Sequence, residues 1–358
     1  MGPLTSIRRI GIIGSGKMGA DIFSFLSGYD FEIVWVCFDQ EEAEIQHRSF
    51  FKRMNRQLRC GLIDEERFQK IQNAIVFCSD IVELSKCHLV IECIWESLEK
   101  KQELFKKIIP VLDGHCIIAS NSSSFTPARL NPDAGTNDRF IGLHFFYPVK
   151  LKNIVEIIRT KNTSEKVLKE ITGFCTLIEK RFLLQDEKNA FLLNRLFLEV
   201  QNEAYKIHTE GLLSYRQIDA IIEEHLFPDG VFKFFDQVGI DVMLQSVKNY
   251  TWQNSASYKA LLDKLEELSK KNLLGVKTKA GFYDYGQEIP DGASDIDQIS
   301  PDIYEKALYK LTNVYYLAAK QHVADGDCEQ ETLEFAAKEY MNTEKGPFTI
   351  ARGNLNKK

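Results

Sequence analysis

The chain contains no apolar run approaching the roughly 20 residues that a membrane-spanning helix requires. It has no Cys-x-x-Cys pair either. Its eight cysteines, at 37, 60, 78, 87, 93, 116, 175 and 328, are scattered, several of them inside apolar strands such as Val-Ile-Glu-Cys-Ile, so neither a disulfide framework nor a zinc site is expected. There is no excess of positive charge: 45 basic against 51 acidic residues give a net −6 with mixed signs, which excludes a nucleic-acid footprint. The first residues lack the apolar core of a signal peptide, and with the reduced cysteines this sets the cytoplasm as the expected compartment. What is abundant is material for a core, with 44% hydrophobic residues, 24 Phe and 13 Tyr. A length of 358 residues exceeds one typical core, so at least two domains are expected.

The first half alternates short apolar runs with amphipathic segments. Arg8–Gly14 reads as a buried strand, and Gly14-Ser15-Gly16-Lys17-Met18-Gly19 follows at the start of a helical pattern. In that setting Gly14 permits the tight turn, Gly16 lets a pyrophosphate approach the backbone, and Gly19 lets helix and strand pack closely. The helix N–H groups then face the phosphates. A second strand, Glu32–Phe38, ends in Asp39, placed to accept from ribose hydroxyls; no arginine follows to receive a 2′-phosphate, which favours NAD over NADP. The competing reading of Asp39 is a helix cap. Further runs at 74–78, 89–94 and 116–120 continue the pattern and predict a doubly wound parallel sheet of Rossmann-like type, whose ligands sit beyond the carboxyl ends of the strands.

His144, in Gly-Leu-His-Phe-Phe-Tyr-Pro-Val, falls at such an end. Glu156, the one charge in Ile-Val-Glu-Ile-Ile, needs a partner if buried. A histidine on the neighbouring strand suits it, because a carboxylate on one imidazole nitrogen fixes the tautomer and stabilises the imidazolium. A salt bridge to Lys150 or Lys152 is the plainer alternative. The cluster Ser120–Ser124 follows a buried strand, and Asn194 is an amide on an apolar helix; each suits either a cap or a hydrogen bond to a reacting oxygen.

Taken in order, the glycine turn, Asp39, Ile-Glu-Cys-Ile-Trp-Glu-Ser-Leu, Ala-Ser-Asn-Ser-Ser-Ser, Gly-Leu-His-Phe-Phe and Leu-Leu-Asn-Arg closely resemble the NAD-dependent L-3-hydroxyacyl-CoA dehydrogenase family over about residues 7–286. The resemblance implies reversible oxidation of an (S)-3-hydroxyacyl-CoA. It implies His144 as base with Glu156 as its partner, and Ser123 and Asn194 at the substrate oxygen. Glu96 and Lys101 would lie near the nicotinamide, and Gly14, Gly16, Lys17, Met18, Gly19 and Asp39 along the rest of NAD. The alternatives are a dehydrogenase of a carrier-protein-linked or free hydroxy acid, and a catalytically silent, crystallin-like NAD-binding protein. Two departures stand out: Tyr147 where the family has asparagine, and Leu226–Asp236 in place of a Pro-Met-Gly-Pro-Phe pattern. Lys52, Arg53, Arg56 and Arg59 recur at helical spacing and read as a solvated face, with carrier phosphates as the other reading.

From about residue 186 the pattern is helical. Residues 1–185 are therefore assigned to the NAD domain, 186–286 to an all-α substrate or dimerisation-type domain, and 287–302 to a linker. Residues 303–358 form a degenerate second helical copy, in which Lys345-Gly-Pro-Phe-Thr echoes Asp229-Gly-Val-Phe-Lys. Short members of the family pair through their helical domains, so a second copy inside the chain is expected to replace a partner subunit and leave a monomer, with a homodimer as the alternative. Sedimentation at micromolar concentration should then report a mass near 41.1 kDa, and twice that value would refute the expectation.

Overall fold

A computed structural model describes residues 5–251, 255–286 and 296–355. The chain divides into two compact units, Met1–Ala190 and Phe191–Lys358. Most of the expected linker, 287–295, lies outside the described residues.

Unit one is an eight-stranded sheet: β1 (Arg9–Ile13), β2 (Glu32–Val36), β3 (Ile75–Cys78), β4 (Leu89–Glu92), β5 (Ile117–Ser120), β6 (Phe140–Phe145), β7 (Ile154–Arg159) and β8 (Arg181–Asp186). Helices α1 (Lys17–Leu26), α2 (Gln40–Arg59), α3 (Glu65–Ala74), α4 (Leu98–Ile108), α5 (Pro127–Leu130) and α6 (Glu165–Leu177) join them. The spatial order is β3-β2-β1-β4-β5-β6-β7-β8, and β3 through β6 are mutually parallel. Strand order therefore reverses between β1 and β4, which opens a crevice beyond their carboxyl ends. Two apolar layers cover the two faces, one built on Ile10, Phe23 and Trp35, the other on Val34, Val90 and Phe105.

The sheet differs from an all-parallel expectation at its far edge. β7 runs antiparallel to β6, and β8 is parallel to β7. The physical reason is the short connection 146–153, long enough for a hairpin-type return but not for the crossover that parallel neighbours need. β8 carries no clean alternation to announce it, since Arg181 and Asp186 bracket only two buried residues, Leu183 and Gln185.

Unit two is helical, with α7 (Leu192–Thr209), α8 (Tyr215–His225), α9 (Val231–Val238), α10 (Ile240–Thr251) and α11 (Lys259–Lys270), followed by α12 (Pro301–Ala324), α13 (Gln330–Met341) and α14 (Pro347–Leu355). Ser214 caps α8 in a reciprocal capping box with Gln217. The buried Asp219 on α8 accepts from the N–H groups of Phe232 and Lys233 at 3.0 Å, and from the Tyr283 hydroxyl at 2.8 Å. Burial pushes its carboxyl up to about 6 against those bonds. Asp236, inside the departing segment Leu226–Asp236, accepts from Phe282 and Tyr283 N–H at 2.9 Å and so ties down the strap 275–285. Gly275 and Gly281 are obligatory there, because a Cβ on either would meet Asp236 at 2.2 or 2.0 Å.

The later helices repeat one device. Glu334 on α13 accepts from Gly346 at 3.0 Å, Phe348 at 2.9 Å and Thr349 at 3.3 Å, as Asp219 does for the start of α9. Helix α12 packs on α7, α8 and α14. The order long helix, short helix, capped helix thus occurs twice, in α7–α9 and in α12–α14. Glu334→Ala is expected to lower the unfolding free energy by about 1–2 kcal/mol, since it strips a helix start of its acceptor. A urea titration monitored by circular dichroism measures this, and an unchanged midpoint would show that the carboxylate is dispensable.

Candidate active site

The first turn is shaped by close approach. Gly14 has φ +105°, and a Cβ there would lie 2.8 Å from the Cys93 carbonyl oxygen after β4. A Cβ on Gly19 would sit 2.0 Å from the Gly14 oxygen. Around Gly16, by contrast, there is open space. Two of the glycines thus answer to the protein's own packing, and the third faces outward, as a backbone that must admit a phosphate should. Gly16 is the N-cap of α1 and offers no side chain to its first-turn N–H groups. The Trp35 indole donates to the Gly14 carbonyl at 3.0 Å and holds the turn on β2. Met18 packs against the core and contributes backbone, while Lys17 is exposed. Asp39, at the end of β2, caps α2 by accepting from Glu42 N–H at 2.8 Å, so the capping reading holds and the exposed carboxylate stands at the rim as well.

His144 and Glu156 are direct cross-strand neighbours in the β6–β7 register. Nδ1 of His144 lies 2.8 Å from Oε2 of Glu156, which is 0% exposed; His144 is 6% exposed. Gln185, on β8, donates to the other Glu156 oxygen at 2.9 Å. Sequence reasoning missed Gln185 because it missed β8.

A second buried carboxylate organises the adjacent strand ends. Glu92 closes β4, fully buried, and accepts from Lys101 Nζ at 2.6 Å, Ser120 Oγ at 2.6 Å and Ile94 N–H at 2.7 Å. Lys101, 1% exposed, also reaches Glu96 Oε2 at 3.2 Å. Glu96 accepts in turn from Ser122 at 2.5 Å and Ser124 at 2.9 Å. Ser123 sits half-buried between those two. Asn121 accepts from Phe145 N–H at 2.8 Å, which ties the serine loop to the end of the His144 strand. Desolvation opposes the charge on both Glu96 and Lys101, but for Lys101 the attraction of Glu92 and then Glu96 outweighs it, and for Glu96 that of Lys101 with the serine bonds. Glu96 is held below, and Lys101 above, its ordinary range. Lys101 is therefore the counter-ion of Glu92 and Glu96 together. Glu92 was legible in principle: like Glu156, it is a lone charge in an apolar strand.

Of the other expected residues, Asn194 belongs to unit two. There its amide donates to Tyr250 at 2.8 Å and accepts from Tyr340, on α13, at 2.8 Å. Lys52, Arg53, Arg56 and Arg59 line the exposed side of α2. Among the described residues there is no metal-binding cluster, and no helix is long and apolar enough to cross a membrane.

Two family models match in tandem: the 3-hydroxyacyl-CoA dehydrogenase NAD-binding domain over residues 9–187, and the carboxy-terminal domain of the same enzymes over 191–285. The chain belongs to the 3-hydroxyacyl-CoA dehydrogenase family. It is an NAD-dependent oxidoreductase, and the open glycine turn fits that cofactor. A 3-hydroxybutyryl-CoA dehydrogenase of Bradyrhizobium diazoefficiens is 32% identical over 288 residues, spanning 78% of this chain and 96% of that one. The mitochondrial hydroxyacyl-coenzyme A dehydrogenase of Sus scrofa is 30% identical, covering 78% and 91%. The crystal structure of an Escherichia coli K12 3-hydroxybutyryl-CoA dehydrogenase superposes with a TM-score of 0.80 at 20% identity, over 98% of this chain and 92% of that one, so the fold extends through the later helices.

The charge network in this dehydrogenase makes a pH-dependent prediction. In the parent, the lowered Glu96 contributes stability above its unfolded pKa and loses it as pH falls through the folded value. Lys101→Met leaves Glu92 and Glu96 without their cation, at a cost of about 3–5 kcal/mol near neutrality. Glu96, still desolvated, then resists ionising, so the variant should gain stability on going from pH 7 to pH 5 where the parent does not. Thermal melts across that range measure the sign, and parallel profiles would refute it.

Proposed function

We propose that the chain catalyses the reversible NAD-linked oxidation of an (S)-3-hydroxyacyl-CoA to the 3-oxoacyl-CoA, with His144 as base in oxidation and acid in reduction. The observation that carries this is the cross-strand pair His144–Glu156, buried within the sheet and backed by Gln185. Glu156 on Nδ1 leaves proton exchange to Nε2 and stabilises the imidazolium that results. Bound NAD supplies the hydride acceptor for C3. Ser123 and Asn194 donate hydrogen bonds to the oxygen on C3 and favour the carbonyl as it forms. The backbone of Gly14, Gly16, Met18 and Gly19, with Lys17, receives the pyrophosphate, and Asp39 the adenosine ribose. Glu96, oriented by Lys101, Ser122 and Ser124, faces the nicotinamide side.

A coenzyme A thioester is favoured because the relatives spanning nearly their whole length carry 3-hydroxyacyl-CoA or 3-hydroxybutyryl-CoA in their names. We infer further that α12–α14, which cover α7 and α8 from within the chain, occupy the face through which shorter members would pair.

The test is oxidation of NADH with acetoacetyl-CoA, run beside a carrier-protein thioester and free acetoacetate. Turnover with the coenzyme A thioester supports the proposal; turnover only with another acyl donor, or NADH binding without turnover, refutes it. His144→Gln should lower kcat by about 100- to 10,000-fold, and Glu156→Gln by a comparable factor, with the NADH dissociation constant nearly unchanged in both.

A further inference from the structure

One contact at the mouth of the glycine turn joins two residues that packing alone does not require. The ammonium of Lys17 lies 3.8 Å from the centre of the Tyr147 ring. Lys17 is exposed and begins α1, whose first turn has no side-chain cap. Tyr147 is 48% exposed and lies three residues after His144, on the loop between β6 and β7.

That loop is anchored independently of the ring. Asp21, on α1, accepts from Val149 N–H at 2.6 Å. The buried Lys180 donates to the carbonyls of Val149 at 2.6 Å and Lys152 at 2.7 Å. The backbone around Tyr147 is thus fixed against α1, and the ring is delivered to the flank of Lys17 rather than arriving there by chance rotation.

We propose that Tyr147 and Lys17 form one composite element that sets affinity for the dinucleotide pyrophosphate. This rests on the reading that the glycine turn receives that group. A free exposed lysine loses much rotamer freedom when it meets a phosphate. Here the electron-rich ring face has already confined the ammonium beside the turn, so less freedom remains to be lost on binding. The phosphates meet the N–H groups of α1 and a positive charge held close to them. Tyr147 is accordingly a cofactor-affinity determinant, and acyl selection is not its role. The contact needs an aromatic face, not a hydroxyl.

The experiment is titration of NADH into the purified full chain, followed by nucleotide fluorescence, for the parent, Y147F, Y147A, K17M and the K17M/Y147A double variant. Both residues are partly or wholly solvent-exposed, and circular dichroism melts verify that each variant is folded. Y147F should bind NADH within about twofold of the parent, because phenylalanine keeps the ring face. Y147A and K17M should each weaken binding about two- to fivefold, the range of a single exposed cation–π contact. The double variant should be no weaker than K17M by more than about twofold, because the ring acts only through the ammonium.

Equal loss in Y147F and Y147A, multiplicative losses in the double variant, or parent-like binding by Y147A would overturn the proposal. So would a Y147A variant with unaltered NADH affinity and a shifted Michaelis constant for acetoacetyl-CoA, which would place the ring in the acyl pocket. Because binding is read without turnover, failure of the catalytic assignment leaves these outcomes intact.

Discussion

A carboxylate buried inside a sheet must find a donor or a cation, and this molecule contains two of them in one sheet, on β4 and β7 with β5 and β6 between. Glu92 and Glu156 are both fully buried, and the rim is arranged around satisfying them. Glu156 takes an imidazole and an amide, each from a flanking strand. Glu92 takes an ammonium, a hydroxyl and a backbone N–H. The two arrangements meet through Asn121, which belongs to the serine loop and binds the last residue of the His144 strand. Loss of either carboxylate would release groups that otherwise have one orientation, so the geometry of the rim is a consequence of charge burial rather than of loop shape.

The nucleotide side obeys a different constraint, which is distance. Gly14 and Gly19 bring β1, β4 and α1 to backbone contact, and only because they do so is the crevice at the strand-order reversal narrow enough to hold a dinucleotide against a helix start. The hairpin-like return from β6 to β7 then carries its loop back to α1, where Asp21 and Lys180 grip it. The His144 strand and the glycine turn are therefore mechanically one piece within unit one.

In unit two, buried or half-buried acidic side chains cap helix starts twice over, Asp219 for α9 and Glu334 for α14. Helix α13 also carries Tyr340, which donates to the Asn194 amide. The helices that pack on α7 and α8 thus also touch Asn194. A hydroxyl at each end of that amide holds the side chain in place.

Local pattern was enough for much of this. The glycine spacing, the strand–helix alternation and the lone charge in Ile-Val-Glu-Ile-Ile were visible because turn chemistry, periodicity and the cost of burying charge act over a few residues. Glu92 carries the same signal, a lone charge in Leu-Val-Ile-Glu-Cys-Ile. The reversed edge strands, Gln185, the exchange of Lys101 between two carboxylates and the grip of Lys17 on Tyr147 were invisible, because each depends on which strand lies beside which. Sequence by itself determined that an imidazole and a carboxylate would sit in apolar strands next to a phosphate-shaped turn. Only the tertiary structure decided that they face each other, because register across a sheet is set by pairing between segments distant along the chain.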